Sequence, residues 1–343
     1  MTEPAQEQRD QEHSNVTLDG DYPARAEPRA DLSQPTDFIM SGDAGTASTF
    51  EAGLELQARS QWSYVWRRFI RHRLAMGSVV MLILIVLASV FASHLTSYSD
   101  TELDFNRIMA GPSVAGHHWF GTDFLGRDYF TRVLFGIRTS IRVALIVAVF
   151  STALGTVIGS VAGYFGGWID NLLMRFTDLI LTLPLLAVLL VASAKFGSGD
   201  QYRVALILGF LFWTGIARVV RGVFLSLREK EYVEAARAAG AGDMRIIFRH
   251  MLPNALGPII VNMTLTVAGA ILIEAALSFL GFGIKPPTPA LGTLIADGES
   301  EMQTAWWLVV FPGIVIMLLV LCINFIGDGL RDALDPTQRR VRA

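Results

Sequence analysis

The chain has 343 residues, 52% of them hydrophobic and only 17% charged, with a mean hydropathy of +0.44. That balance excludes an ordinary soluble domain, and basic residues that sit beside apolar runs rather than on a soluble patch exclude nucleic-acid binding. The formal charge of −3 divides unevenly: residues 1–58 hold twelve acidic and three basic side chains, net −9, which leaves +6 for the remainder.

Residues 1–58 are rich in Pro, Gly, Ser, Asp and Glu and show no apolar periodicity. Such a segment buries too little surface to offset the ordering of its backbone, so a disordered acidic tail is expected. A signal peptide needs an apolar core within roughly the first 30 residues. Here the first apolar run begins near Leu74, so the tail is expected to stay on the side where it is made. Next comes "QWSYVWRRFIRHR", within a segment taken as 59–73. At helical spacing Trp62, Trp66, Phe69 and Ile70 share a face, with Arg67, Arg68 and Arg71 largely off it. That pattern predicts a helix lying in the headgroup plane; the alternative is a straight extension of the first span.

Six runs reach the roughly 20 apolar residues that a membrane-spanning helix needs. They are Leu74–Leu95, Ile141–Phe165, Phe176–Phe196, Val204–Leu225, Leu256–Phe282 and Trp306–Ile326. The chain therefore reads as an all-α polytopic membrane protein with six transmembrane helices. A first span and external loop occupy 74–138. A membrane core follows across 139–329, with a cytoplasmic loop at 226–255, and a C-terminal tail covers 330–343. Arginines near the span ends set orientation. Arg67, Arg68, Arg71 and Arg73 place the N-terminal side in the cytoplasm, and Arg331, Arg339, Arg340 and Arg342 place the C-terminal side there too. The segment Asp100–Arg138 is external by this count although it also carries arginines.

Catalytic signatures are missing from the sequence. It has no G-x-x-x-x-G-K-[ST] phosphate cradle, no HExxH and no cysteine/histidine cluster of metal-ligand spacing. Its one cysteine, Cys322, lies in an apolar run, so no intramolecular disulfide forms and a small buried hydrophobe is expected. The glycine pair in "GFG" at 281–283 reads as a helix end.

The polar stretch "EYVEAARAAGAGDMRIIFRHMLPN" interrupts this apolar chain at Glu231–Asn254. Tyr232, Ala235, Ala236 and Ala239 fall near one helical face, and the alanines make it flat. Gly240 and Gly242 permit a sharp turn. Asp243 is the expected N-cap of a second short helix, "MRIIFRHM", which Pro253 ends at the entry to the next span. The product is a polar helical hairpin, longer than chain reversal requires, and so a candidate docking surface.

Those residues carry a resemblance. Glu234, Ala235, Ala236, Gly240, Leu252 and Pro253 match the signature loop of ATP-binding-cassette importer permeases in type and spacing. "FGTDFLGRDYFTRVLFGIRTSI", "GYFGGWIDNLLMRFTDLILTLP", "EAALSFLGFGIKPPTPALG" and "NFIGDGLRDALDP" are similar to the dipeptide/oligopeptide/nickel permease subfamily, and the first of them to its C-type member. Leu291 stands where the family pattern has tryptophan, and the acidic tail is longer than the family core. The resemblance implies a type I importer permease fold that forms half a translocation pathway beside a homologous B-type permease. It also implies two cytoplasmic ATPase subunits that bind ATP and Mg, an external substrate-binding protein, and no cofactor in this chain.

Within that frame Glu234, Ala235, Ala236, Gly240, Gly242, Asp243 and Arg245 are the expected ATPase-coupling residues, with Glu234 facing a basic partner. Asp123, Arg127 and Asp128 in "GTDFLGRD" either touch the binding protein or staple their own loop. Glu274, inside a span, either lines the pathway, pairs with the partner permease or accepts structural hydrogen bonds. Asp178 follows Arg175 at i,i+3, the spacing of a local ion pair, and Pro184 is expected to kink the same helix. The leading reading is a peptide importer subunit. The same architecture carrying nickel complexes or another small solute is the alternative. A self-sufficient channel or ion-coupled carrier leaves the hairpin unexplained. The topology is tested by placing a cysteine at Gly242 in a variant whose Cys322 is replaced. It should stay unreactive to an impermeant thiol reagent applied from outside, and labelling from outside would refute the six-span arrangement.

Overall fold

The computed structural model describes residues 61–114 and 117–334, without the side chains of Gln61, Trp62 and Tyr64. The acidic tail expected over 1–58, the end of the C-terminal tail and the expected facing of Trp62 lie outside the described residues. Among these residues the chain is helical, with only three isolated β-bridges. Five helices are long and apolar enough to cross a membrane: Arg73–Val90, Tyr129–Phe165, Gln201–Arg228, Asp243–Phe279 and Trp307–Leu334. A bent pair, Gly167–Thr182 and Leu185–Phe196, whose halves meet at 85°, brings the number to six when counted as one broken span. In hydrocarbon each backbone polar group must find its partner within the chain, which leaves helices as the economical answer to this composition.

The first helix, α1 (Gln61–Arg71), is separated from α2 (Arg73–Val90) by His72, whose Nδ1 accepts the N–H of Ala75 at 3.1 Å as an N-cap. It is therefore not a continuous extension of the span. Phe69 is buried against Ala75 and Ala333, while Trp66 and Ile70 remain exposed, so the expected apolar face is divided between protein and surroundings. A short turn of helix, α3 (Ala92–Leu95), ends the first crossing.

The axis of the fold is α4 (Tyr129–Phe165). It starts at Tyr129 rather than Ile141, because Asp128 caps it and the residues before the apolar run also have helical partners. At 37 residues it is about 55 Å long, well beyond the roughly 30 Å of a hydrocarbon core. Gly155, Gly159 and Gly163 form a stripe along it that lies directly on α7 (Gln201–Arg228). A Cβ at Gly155 would meet Ile216 Cβ at 2.8 Å, and one at Gly163 would meet Phe224 Cβ at 2.6 Å. Small residues at fourfold spacing let two helix backbones come together where apolar surface alone supplies no drive.

Between them α5 (Gly167–Thr182) and α6 (Leu185–Phe196) make the broken crossing. Leu183, forced extended by the following proline, has ψ 136, and Pro184 becomes the N-cap of α6. The expected kink is thus a full break. Few residues of this pair are buried, and Trp168, Leu172, Phe176 and Leu179 are exposed at helical spacing along α5. The remaining elements are α8 (Glu231–Ala238), the long helix α9 (Asp243–Phe279), α10 (Leu291–Glu299) and α11 (Trp307–Leu334). The main core gathers inward faces of α4, α7, α9, α10 and α11 around Leu208, Ile271, Leu277, Leu291 and Leu319. Helix α9 ends where "GFG" was expected to end it: Gly281 has φ +81, and Phe282 N–H reaches back to Leu277 O at 3.0 Å.

Gly159→Val should force α4 off α7, since a Cβ there meets the backbone and side chain of Ala217 and Val220. A loss of about 1–3 kcal/mol or more is expected from overpacking, read as a lowered melting temperature in detergent. Gly215→Ala, which meets nothing within 4 Å, should leave it unchanged.

Candidate functional site

At one end of the bundle, α8 and the start of α9 form the polar hairpin. Val233 is its inward anchor, buried with Phe224, Ile246, Ile247 and Met251. Helix α8 ends in a Schellman turn: Ala241 N–H bonds Ala236 O and Gly240 N–H bonds Arg237 O, both at 3.0 Å, with Gly240 at φ +79. A Cβ at Gly240 would meet nothing within 4 Å, so the demand there is on backbone conformation rather than space. Gly242 differs from expectation. Its φ of −69 and ψ of 156 suit any residue, and it is Gly242, not Asp243, that occupies the N-cap position. Asp243 instead accepts the Tyr164 hydroxyl at 2.6 Å, tying the hairpin to the end of α4.

Pro253 does not end the helix. Asp243–Phe279 runs on, with a π turn over Ile246–Met251 just before the proline. A proline within a helix lacks an N–H and crowds the carbonyl four residues back. The wider turn accommodates that crowding, with Leu252 N–H bonding Ile247 O five residues back.

Glu234, Ala235, Ala239, Gly240, Gly242, Asp243 and Arg245 are all exposed, whereas Ala236 is half-buried against the apolar base. Tyr232, Met244 at 67% and Phe248 at 59% exposure add apolar surface to the same hairpin. Met244 and Phe248 were missed in the sequence, although their i,i+4 spacing puts them on one face of α9. Thus charge and exposed apolar groups share one surface held on a rigid base.

Glu274, Asp178 and Asp170, in or beside the crossings, each have partners. Glu274 is fully buried and accepts the hydroxyls of Ser140 and Ser278, both at 2.8 Å, while Ser278 Oγ also takes the N–H of Ile284. Of the readings open for Glu274, this geometry is that of a packing staple joining α4, α9 and the following loop. Asp178 pairs with Arg218 of α7 at 2.6 Å, so the i,i+3 expectation with Arg175 is replaced by a contact between helices. Arg221, one turn away, holds Asp170 through both carboxylate oxygens. Beside the break at Pro184 opens a cavity of about 220 Å³, lined by Leu183, Leu185, Phe212 and Thr214 among others.

At the opposite end, segment 96–128 folds into a cap. In "GTDFLGRD" each polar residue has an assignment. Gly121 and Gly126 have φ +77 and +78, and a Cβ on Gly126 would strike Asp104 O. Thr122 Oγ1 accepts Ala110 N–H at 2.9 Å. Asp123, 1% exposed, accepts the N–H groups of Leu125 and Arg127 at 2.9 Å. Its other oxygen takes Arg127 Nε and Arg132 Nη1, both at 2.7 Å. Asp128 caps α4 through Thr131 and meets His118 Nδ1 at 2.9 Å. Beyond Arg132 lies Asp297 at 3.8 Å; burial raises its carboxyl above the usual range, against the pull of Arg132 and Arg127. Trp307 Nε1 and Tyr129 Oη bond to backbone carbonyls across the cap. The carboxylates of Asp123 and Asp128 are thus turned inward, which is the loop-stapling alternative. Outward at the tip are Phe124 and Leu125. His118, Arg132 and Asp297 escaped the sequence reading because nothing local marks their long-range partners.

Broken and continuous apolar crossings, a stapled cap at one end and a polar hairpin at the other define a multi-pass membrane subunit of the transport type. Residues 155–340 match the family described as binding-protein-dependent transport system inner membrane component. Residues 60–112 match the N-terminal TM domain of oligopeptide transport permease C. Among relatives, the oligopeptide transport system permease protein OppC of Escherichia coli (strain K12) is 38% identical over 302 residues, 88% of this chain and 100% of its own. The protein of the same name from Mycobacterium tuberculosis (strain ATCC 25618 / H37Rv) is 41% identical, covering 82% of this chain and 97% of its own. The glutathione transport system permease protein GsiD of Shigella flexneri serotype 5b (strain 8401) is also 41% identical, over 82% of this chain and 92% of its own. The chain belongs to the binding-protein-dependent transport permease family, with the C-type oligopeptide permeases. Its members are the non-catalytic membrane components of ATP-binding-cassette transporters.

Asp123→Asn should leave the Arg132 guanidinium, whose side chain is 2% exposed, without its closest counter-charge. Breaking such a buried pair from one side costs about 3–5 kcal/mol. Arg127→Gln, at a more exposed site, should cost distinctly less. Thermal unfolding of the two purified variants in detergent checks the order, and equal melting temperatures would contradict it.

Proposed function

We propose that this chain is one permease subunit of an ATP-driven importer of di- and oligopeptides, forming half of the pathway beside a B-type permease. The observation that carries the coupling assignment is the hairpin's construction. Its exposed Glu234, Ala235, Met244 and Phe248 sit on a buried base, and the glycine turn fixes the angle between its limbs. The arginine distribution supports a cytoplasmic position for this hairpin and both chain ends, with the cap outside. Two ATPase subunits, which hold ATP and Mg, dock one on each permease, and an external binding protein delivers the cargo to the cap side. The apolar tip at Phe124 and Leu125, rather than the loop's buried carboxylates, is the surface offered to that protein.

Closure of the ATPase pair moves the hairpin. Because the hairpin's second limb is the beginning of α9, its displacement is carried into a helix about 55 Å long. The Tyr164–Asp243 bond passes part of it to α4 as well. Rocking of packed helices as rigid bodies is an established route for such switching. The names of the relatives favour a peptide cargo. The relative named for glutathione transport keeps open a second reading, in which the same architecture carries another small solute.

Two variants separate docking from hairpin geometry. Glu234→Ala removes one exposed charge; truncating one member of a desolvated interfacial pair costs about 2–5 kcal/mol. Gly240→Val puts a β-branched residue at φ +79, which strains the turn and re-aims the hairpin. Both should insert in the membrane normally and lose peptide uptake in vesicles, and Glu234→Ala should also lower recovery of the ATPase subunits on affinity purification. Wild-type uptake and recovery in both would make the hairpin a mere connector.

A further inference from the structure

On the cap side a cleft of about 370 Å³ lies between the start of α4, the start of α7 and the proline loop. Its polar lining includes Arg138, Thr139 and Arg142 of α4, Gln201 of α7, Thr288 and Asp100. The two arginines are one helical turn apart, so their side chains stand on the same face. Like charges at that spacing repel, and the usual relief is a carboxylate between them. Among the described residues none provides it. Arg142 donates only to Gln201 Oε1 at 3.2 Å, and Arg138 is exposed with neither a hydrogen bond nor an ion pair. Asp100 lines the same cleft but lies outside ion-pair range of both.

The contrast with three other arginines of α4 and α7 gives this pair its meaning. Arg132, Arg218 and Arg221 each hold an aspartate of this chain. The unmet pair sits instead at an opening walled by Pro287 and Pro289 and by the start of α7, whose N-terminus is already capped by the Asp200 carboxylate, so the charge offered to a ligand is that of the two arginines. Gly199 fixes the proline loop to the start of α7 through its bond to Gly283 O at 2.9 Å, so the walls are held together. Two planar guanidinium groups with hydroxyl and amide neighbours suit a carboxylate, which both can meet in bidentate fashion.

We infer that the Arg138–Arg142 cleft receives the free C-terminal carboxylate of a peptide entering the pathway. The site rests on the peptide-import reading above and narrows its cargo to peptides with an unblocked C-terminus. The Gln201 side-chain NH2 supplies a neutral donor, its Oε1 being taken by Arg142, while the Thr139 hydroxyl is already donated to Phe135 O. Anionic lipid headgroups share the recognition chemistry and are the competing occupant that the test must distinguish.

The test uses the complete importer, with its partner subunits, in phosphatidylcholine nanodiscs. Saturation-transfer NMR compares an N-acetylated tripeptide acid with its C-terminal amide, for wild type, Arg138→Gln/Arg142→Gln and Arg138→Lys/Arg142→Lys. Removing one charge-assisted hydrogen bond weakens binding about tenfold. The acid should therefore bind wild type about tenfold better than the amide, the glutamine variant should treat both alike, and the lysine variant should keep part of the preference. Uptake into vesicles at saturating binding protein should follow the same order. Equal binding of acid and amide to wild type, or an undiminished preference in the glutamine variant, overturns the site. So does disappearance of the acid signal when phosphatidylglycerol is added, which would assign the arginines to lipid. Peptide uptake that persists without dependence on these arginines removes this inference alone, whereas wild type importing neither peptide removes the import reading and the site with it.

Discussion

The close approach of α4 and α7 along three glycines is the constraint from which the polar bonds around it follow. With the backbones this near, Arg218 and Arg221 of α7 reach Asp178 and Asp170 on the broken crossing. Tyr164, at the end of α4, reaches Asp243 in the hairpin, and Arg228 Nη1 reaches Tyr164 O at 3.2 Å. A side chain on any of the three glycines would separate the helices by more than these short, directional bonds tolerate. A seam of van der Waals contact therefore sets the polar geometry, although the glycines that create it carry no side chain at all.

Polar groups within this protein are handled in two ways. Deep in the bundle Glu274 has only neutral partners, resting on two serine hydroxyls. Toward either end carboxylates enter ion pairs, Asp170 with Arg221 at the hairpin end and Asp123 with Arg132 at the cap. The gradation follows the cost of charge in hydrocarbon, which falls toward the interfaces. It also distributes rigidity. The cap is cross-linked by directional bonds over many residues, and the hairpin rests on an apolar base with the Tyr164–Asp243 bond among its few polar ties.

Much of this was legible in the sequence. Apolar length gave the crossings, and the positive φ at Gly240 followed from a glycine at a helix end. What was not legible has a common cause. Charged residues before Ile141 concealed the first turns of α4, because Arg132 and its partner Asp123 neutralise each other only after the cap has folded. Asp178 had a partner in sequence, Arg175, and chose another in space. Glycine and aspartate at 242 and 243 are the residue types of a turn and a cap, yet the cap fell one residue earlier and the aspartate was taken by Tyr164. Pro253 carried the signal of a helix end, but the extra backbone slack of a π turn let the helix continue. Local rules fail in each case where a distant group or a wider turn offers the better bond.

That π turn has a consequence for how the two ends of α9 relate. A turn holding one residue more than the α repeat advances the helix phase by about 100°. Met244 on the hairpin side and the buried stripe of Ala268, Ile271 and Ala275 on the bundle side therefore stand in a relation that an uninterrupted helix would not give. The hairpin face and the membrane face are set by separate phases joined at one place. A single insertion or deletion there would turn one face against the other while leaving the residues of both intact.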